Sequence, residues 1–111
     1  MTKIEAVIRP SLFEDVKAAL AREGVEGMTI SEVTGSGRRR GQMGPNGMTT
    51  STHLTPKVKI ELVVPDSKAA TLLEVIRVAA ATGKVGDGKI WITHIDETIR
   101  IRTGERSESA V

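Results

Sequence analysis

Two helices on one face of a four-stranded antiparallel sheet, an α+β sandwich built in the order β-α-β-β-α-β, is the fold this sequence predicts. Three observations predict it. Apolar residues alternate with polar ones at Ile4, Ala6 and Ile8, and again at Val58, Ile60, Leu62 and Val64, which is the two-residue period of a half-buried strand. Two other stretches, from Leu12 to Leu20 and from Ala69 to Ala80, carry their apolar residues at helical spacing. Pro10, Gly24, Pro65 and Gly83 punctuate the boundaries between these stretches. Helices laid across one sheet face bury all of these apolar sets together.

The first strand sets Ile4, Ala6 and Ile8 against Lys3, Glu5 and Arg9, with Val7 a partial exception, and Pro10 stops it. Ser11 and Glu14 hold the spacing of a capping box, in which each side chain satisfies a free backbone N–H. Leu12, Val16, Ala19 and Leu20 form the inner face of the first helix, and Gly24 is its left-handed terminator. A second strand is expected over residues 28–33. The third, over 57–64, is the cleanest, with Lys57, Lys59 and Glu61 opposite its apolar set. Pro65 ends it, and Asp66 or Ser67 caps a second helix whose apolar face is Ala69, Leu72, Leu73, Ile76, Ala79 and Ala80. Gly83 is expected to close that helix. A last strand covers residues 90–95 or slightly more, and the alternating segment 99–102 reads as a short terminal strand. This order is ferredoxin-like, in one domain over 1–111, with a loosely held tail over about 103–111.

The composition narrows the function. A chain of 111 residues fits one small domain with a modest core. Its 39% apolar content and clear periodicity describe a globular protein rather than a disordered one. With no cysteine there is no disulfide, thiolate nucleophile or thiolate metal site, which suits a cytoplasmic protein. No apolar run approaches a membrane span, and no signal-peptide pattern opens the chain. Net charge is only +2, and Phe13 and Trp91 are the sole aromatic residues. Both facts argue against a nucleic-acid partner, which wants a basic surface and exposed rings for base stacking.

The chemistry concentrates near the end of the chain. In TGKVGDGKIWITH, Gly83, Gly86 and Gly88 alternate with Lys84, Asp87 and Lys89, and in IRIRTGER, Arg100 and Arg102 alternate with Ile99 and Ile101. Glycines let a backbone turn tightly and bring its N–H groups close to an anion. In a strand, the two arginines would share a face roughly 7 Å apart. Two guanidiniums at that spacing, near Lys89 and a glycine turn, could hold the phosphates of a nucleotide. A second unusual segment, residues 34–56, contains Gly35, Gly37, Gly41, Gly44 and Gly47, the run Arg38, Arg39 and Arg40, and no acidic residue. It reads as a long mobile loop, about 36–55, whose basic base can meet an anion and whose tip can reach a partner. His53 and His94 stand apart from other ligand residues, so no metal site is expected. His94 reads as a packing or hydrogen-bonding residue of the last strand and His53 as exposed. Thr49, Thr50, Ser51 and Thr52 offer hydroxyls for phosphorylation, as any exposed hydroxyl-rich loop does.

Together, KIEAVIRP, GMTISEV, GSGRRRG, PKVKIELVVPD, TGKVGDGKI and IRIRTGER resemble the PII signal-transduction family over nearly the whole chain. The resemblance implies a homotrimer with adenine-nucleotide sites in the clefts between subunits and a loop above each cleft that contacts target proteins. It implies that Thr29, Glu61 and Val63, with Val7 nearby, surround the adenine. Gly35, Gly37 and Arg38 would approach the ribose and phosphates, and Gly86, Asp87, Gly88 and Lys89 would belong to the phosphate turn. Arg100 and Arg102 would reach the phosphates from the neighbouring subunit. Arg39, Arg40 and Lys57 are the candidates for a second anion or effector.

The departures from the family lie in the loop. Arg39 stands where the family has a glutamine, and the loop is one residue short. The chain has no tyrosine, so tyrosine uridylylation has no acceptor. The arginine that related proteins insert into an ammonium channel has no counterpart around Asn46 and Gly47. The expected function is therefore an ATP- or ADP-binding regulator with a retargeted loop and a weak or absent 2-oxoglutarate response. Magnesium is left open, as is a different small anion such as bicarbonate. Slow ATP hydrolysis is the enzymatic alternative, although no general base, nucleophile or metal motif is arranged for it. A nucleic-acid binder using Arg38–Arg40 is the third class. Target transporters, enzymes and transcription regulators all stay open.

Overall fold

The computed structural model describes residues 1–39 and 51–111. Strand β1, Thr2–Ile8, leads through a 3-10 turn at Pro10–Leu12 into helix α1, Phe13–Arg22. Strands β2, Thr29–Arg39, and β3, Ser51–Val64, follow, then helix α2, Asp66–Ala80, and strand β4, Lys89–His94. A 3-10 helix at Ser107–Ala110 ends the chain. The strands form one antiparallel sheet in the order β2-β3-β1-β4, as the sequence predicts for a ferredoxin-like sandwich.

Register explains the core. Ile4 pairs with Leu62, Ala6 with Ile60 and Ile8 with Val58, so the alternating sets of the two central strands share one face. Val16, Ala19 and Leu20 of α1 and Ala69, Leu72, Ile76 and Ala80 of α2 cover that face, and all of these residues are buried. Helix α1 ends as expected. Gly24 takes φ +84°, Val25 N–H donates to the Leu20 carbonyl at 3.0 Å and Gly24 N–H to the Ala21 carbonyl at 3.0 Å, the paired bonds of a Schellman motif.

Four expectations are corrected. Ser11 does not cap α1, because Pro10, with its fixed φ, already starts the 3-10 turn and places Ser11 inside it, where its hydroxyl makes no cap bond. Nor does Asp66 cap α2: Pro65 flanks the helix, while the Asp66 carboxylate accepts from the Thr2 hydroxyl at 2.6 Å and lies 3.1 Å from the Met1 amino group. Those bonds hold its carboxyl below the usual aspartate range. Gly83 does not close α2, which ends at Ala80 on an extended Ala81. Residues 99–102 do not form a strand: Ile99 makes a single bridge to Arg106, and 101–103 turn.

The segment read as a loop is also partly strand. The β2–β3 ladder continues from Thr34↔Pro56 to Arg39↔Ser51, so the two strands extend as a ribbon beyond the body of the sheet. In the ladder Gly35 pairs with Thr55 and Gly37 with His53. A strand tolerates glycine when its partner supplies the ladder, which composition alone does not reveal. The loop tip, residues 40–50, lies outside the described residues, and so does its expected mobility.

The sheet face away from the helices is charged. Glu5, only 7% exposed, is 3.0 Å from both the Lys3 and Lys59 ammonium groups, and Glu61 joins them through Lys59 at 3.5 Å. Hydrogen bonds from Lys3 and Lys59 hold the Glu5 carboxyl below the ordinary glutamate value, and Glu5 in turn raises Lys59. Beside them, Trp91 on β4 is 41% exposed opposite Glu5. Ile92, Ile99 and Ile101 are also exposed, the last almost completely. Trp91 and Ile92, as successive residues of β4, lie on opposite sheet faces, and both stay exposed among the described residues.

Candidate functional site

The centre of the site is the turn that joins α2 to β4. Gly83, Gly86 and Gly88 all take positive φ, +80°, +105° and +94°, which L side chains rarely adopt. Gly88 rests directly on β1: a Cβ there would stand 1.8 Å from the Val7 carbonyl oxygen. Gly86 lies against the Arg9 guanidinium, 3.1 Å from Nη2 to the position of a Cβ. The Asp87 carboxylate folds back into the turn. It accepts from the Thr82 N–H at 2.8 Å, the Gly83 N–H at 2.9 Å, the Thr82 hydroxyl, and Arg9 Nε at 3.1 Å. With Thr82 the largest contributor, these donors push its carboxyl far below the ordinary aspartate value. Arg9 Nη2 also donates to the Val85 carbonyl at 2.9 Å, and the Lys57 ammonium donates to the Gly86 carbonyl.

A cleft of about 700 Å³ opens between this turn, the end of β1 and the base of the β2–β3 ribbon. It gathers Val7, Gly35, Lys57, Gly86, Gly88 and Lys89, all expected at the site from the sequence. A second hollow, about 370 Å³, brings Thr29, Glu61 and Val63 together, as the register Thr29↔Glu61 requires. Val7 lines the first cleft and not the second, because it pairs with Lys59 and Lys89 rather than with the strand residues beside Glu61. The backbone of Gly37, Arg38 and Arg39 continues β2 above the first cleft, opposite His53, Thr52 and Ser51. Arg40 lies outside the described residues.

Arg100 and Arg102 are not brought to the glycine turn of their own chain. Arg100 lines a separate hollow with Val63 and Lys68 and lies 3.4 Å from Glu105 Oε1, while Arg102 is exposed on the turn over 101–103. The alternation IRIR therefore signals a hook, closed by Arg100 N–H to the Glu105 carbonyl at 2.8 Å and Gly104 N–H to the Arg100 carbonyl at 2.7 Å. His94 is exposed, 3.5 Å from Asp96, rather than packed. Among the described residues, no group of three or more His, Cys, Asp or Glu could hold a metal ion.

Sequence reasoning missed Arg9, Val85 and Trp91 as cleft residues. Arg9 meets Asp87 across 78 positions of chain, a separation at which no local pattern operates. Trp91 was legible only as one of two aromatics.

The family model described as Nitrogen regulatory protein P-II matches residues 1–105. The chain belongs to the nitrogen regulatory protein P-II family. P-II proteins of Haemophilus influenzae and of Escherichia coli K12 are each 46% identical to it over 112 aligned positions, covering all of both chains. Among solved structures, B. subtilis GlnK superposes with a TM-score of 0.85 at 35% identity, covering 99% of this chain and 97% of that one. The B. subtilis GlnK–ATP complex gives 0.85 at 34%, with 99% and 94% coverage. Arabidopsis thaliana PII bound to citrate gives 0.81 at 35%, with 99% and 91% coverage. The P-II assignment made from the sequence motifs is thus borne out, and no described helix of this P-II chain is long and apolar enough to cross a membrane.

Proposed function

We propose that this P-II protein is a cytoplasmic, homotrimeric regulator that binds ATP or ADP and reports the bound state to a target protein through the segment that joins β2 to β3. The observation that carries this reading is the cleft uniting Gly35, Lys57, Gly86, Gly88 and Lys89 beside a glycine turn. Positive-φ glycines, backbone N–H groups and an ammonium are the donors that a phosphate chain requires. Thr29, Glu61 and Val63, which line a separate hollow, are the residues for the adenine, offered to the cleft of a neighbouring copy. Arg100 and Arg102, directed away from their own turn, suit delivery to a neighbouring copy, and the exposed Trp91, Ile92 and Ile101 suit burial between copies.

The donor set fits phosphates better than it fits magnesium. Arginine at position 39 has five donors and no acceptor, so it offers a metal no ligand oxygen and its charge repels the ion. Asp87 already accepts four hydrogen bonds. The response to 2-oxoglutarate, which in the family docks through magnesium held by ATP and the position-39 glutamine, is therefore weak or absent here. Calorimetry with purified protein tests both parts. ADP and ATP should bind, and 2-oxoglutarate with magnesium and saturating ATP should give no micromolar heat. Arg39→Gln should restore that heat. Failure of either nucleotide to bind overturns the nucleotide reading, and micromolar 2-oxoglutarate binding overturns the claim about Arg39.

A further inference from the structure

We propose that Asp87 is a positioning residue: with Thr82 and Arg9, and without touching the nucleotide, it holds the 82–88 turn in the shape that presents its remaining N–H groups to a phosphate. This rests on the nucleotide reading above and assigns Asp87 a different role from that of a direct ligand.

The hydrogen-bond inventory carries the inference. A carboxylate offers about four lone-pair sites. In Asp87, Oδ1 accepts from Arg9 Nε and the Thr82 hydroxyl, and Oδ2 accepts from the Thr82 and Gly83 N–H groups. Nothing is left for a ribose hydroxyl or a metal ion. A bare carboxylate beside polyphosphate would also repel it, and here the Arg9 guanidinium lies against that charge. Arg9 does a second thing. Its Nη2 donates to the Val85 carbonyl, so one planar group ties Asp87 to the other limb of the turn and anchors both to the residue that follows β1.

The turn needs such a device. Three positive-φ glycines let the backbone take the required shape, but glycine loses more conformational freedom on ordering than any other residue. Left unclamped, the turn would be ordered only when the phosphate arrives, and that ordering would reduce affinity. Clamped beforehand, it meets the ligand in its bound shape.

The test is ATP calorimetry on the full chain for the parent, Asp87→Asn, Arg9→Gln, the double variant, and the pair Thr82→Val and Thr82→Ser. Urea midpoints of the free proteins establish that each is folded. Asp87→Asn and Arg9→Gln should each weaken ATP about tenfold, since an ordering cost is returned to the binding step. The double variant should be no weaker than the worse single variant within about twofold, because both break one clamp. Thr82→Val should weaken ATP, whereas Thr82→Ser, which keeps the hydroxyl, should match the parent. If Asp87→Asn fails to fold, the Thr82 pair decides. Unchanged or tighter ATP binding by Asp87→Asn, fold-changes that multiply in the double variant, or equal loss in both Thr82 variants overturns the inference while leaving the nucleotide reading intact. A parent that binds no ATP overturns both.

Discussion

Replacing Gly88 with alanine measures how closely the glycine turn lies on the first strand. Two costs follow from the geometry. Holding a non-glycine residue at φ +94° costs about 1–2 kcal/mol. The new Cβ also starts 1.8 Å from the Val7 carbonyl oxygen and 2.8 Å from its carbon, so the turn must lift until ordinary contact is reached. Val7 pairs with Lys89 at this end of β4, and lifting the turn strains or breaks that pairing, at about 1 kcal/mol for each backbone hydrogen bond lost. With one or two such bonds lost, the total is about 2–4 kcal/mol. Gly83→Ala is the internal control: its φ is also positive, +80°, but nothing lies within 4 Å of its Cβ position, so only the first cost applies. Urea unfolding, extrapolated linearly at one protomer concentration, compares the two. Gly88→Ala should be destabilised at least about 1 kcal/mol more than Gly83→Ala. Equal destabilisation would refute the contact argument and leave the strain argument alone standing.

Acid should unfold the protein through its paired carboxylates. Asp66 and Asp87 are lowered from 3.8 and Glu5 from 4.5, so the stability they contribute is present above those unfolded values and is lost as pH falls through the lower folded ones. A thermal midpoint flat from about pH 7 to 5 and falling below about 4 is expected, and one flat through pH 3 would contradict the pairings. Ile76→Ala, at a fully buried position, should cost about 2–5 kcal/mol in urea, against under about 0.5 for the exposed Val78→Ala. Arg100→Ala and Arg102→Ala should each weaken ATP by about 1.5–3 kcal/mol in calorimetry, and parent-like affinity of the double variant would remove both from the phosphate site. Solution mass at micromolar concentration should be that of three chains, and a monomeric mass would remove the shared cleft.

Much of this molecule was legible in the linear chain because its short-range periods are unambiguous. Ile4, Ala6 and Ile8 could only be a strand face, and Leu72 and Ile76 only a helix face, and both settled into the core as expected. Gly83, Gly86 and Gly88 announced a turn that ordinary residues could not make. Errors arose where two local signals competed. Ser11 had the spacing of a cap, but Pro10 beside it started the helix earlier. Gly35 and Gly37 suggested loop, yet the ladder opposite them kept the chain extended. Ile99 to Arg102 alternated like a strand, but among the described residues Ile99 alone is bridged, to Arg106, and the segment forms a hook.

Alternation, helical spacing and the placement of glycine and proline thus determined the element order, the core and the chemistry of the anion turn, since all three act within a few residues. What only the tertiary structure decided is which distant groups meet. Arg9 reaches Asp87, Lys57 reaches the Gly86 carbonyl, and Gly88 lies on Val7 because the antiparallel register brings the start of β4 beside the end of β1. Such pairings depend on strand order and register, and a carboxylate in a glycine-rich stretch carries no sign of whether it will face a ligand or turn inward to hold the loop that does.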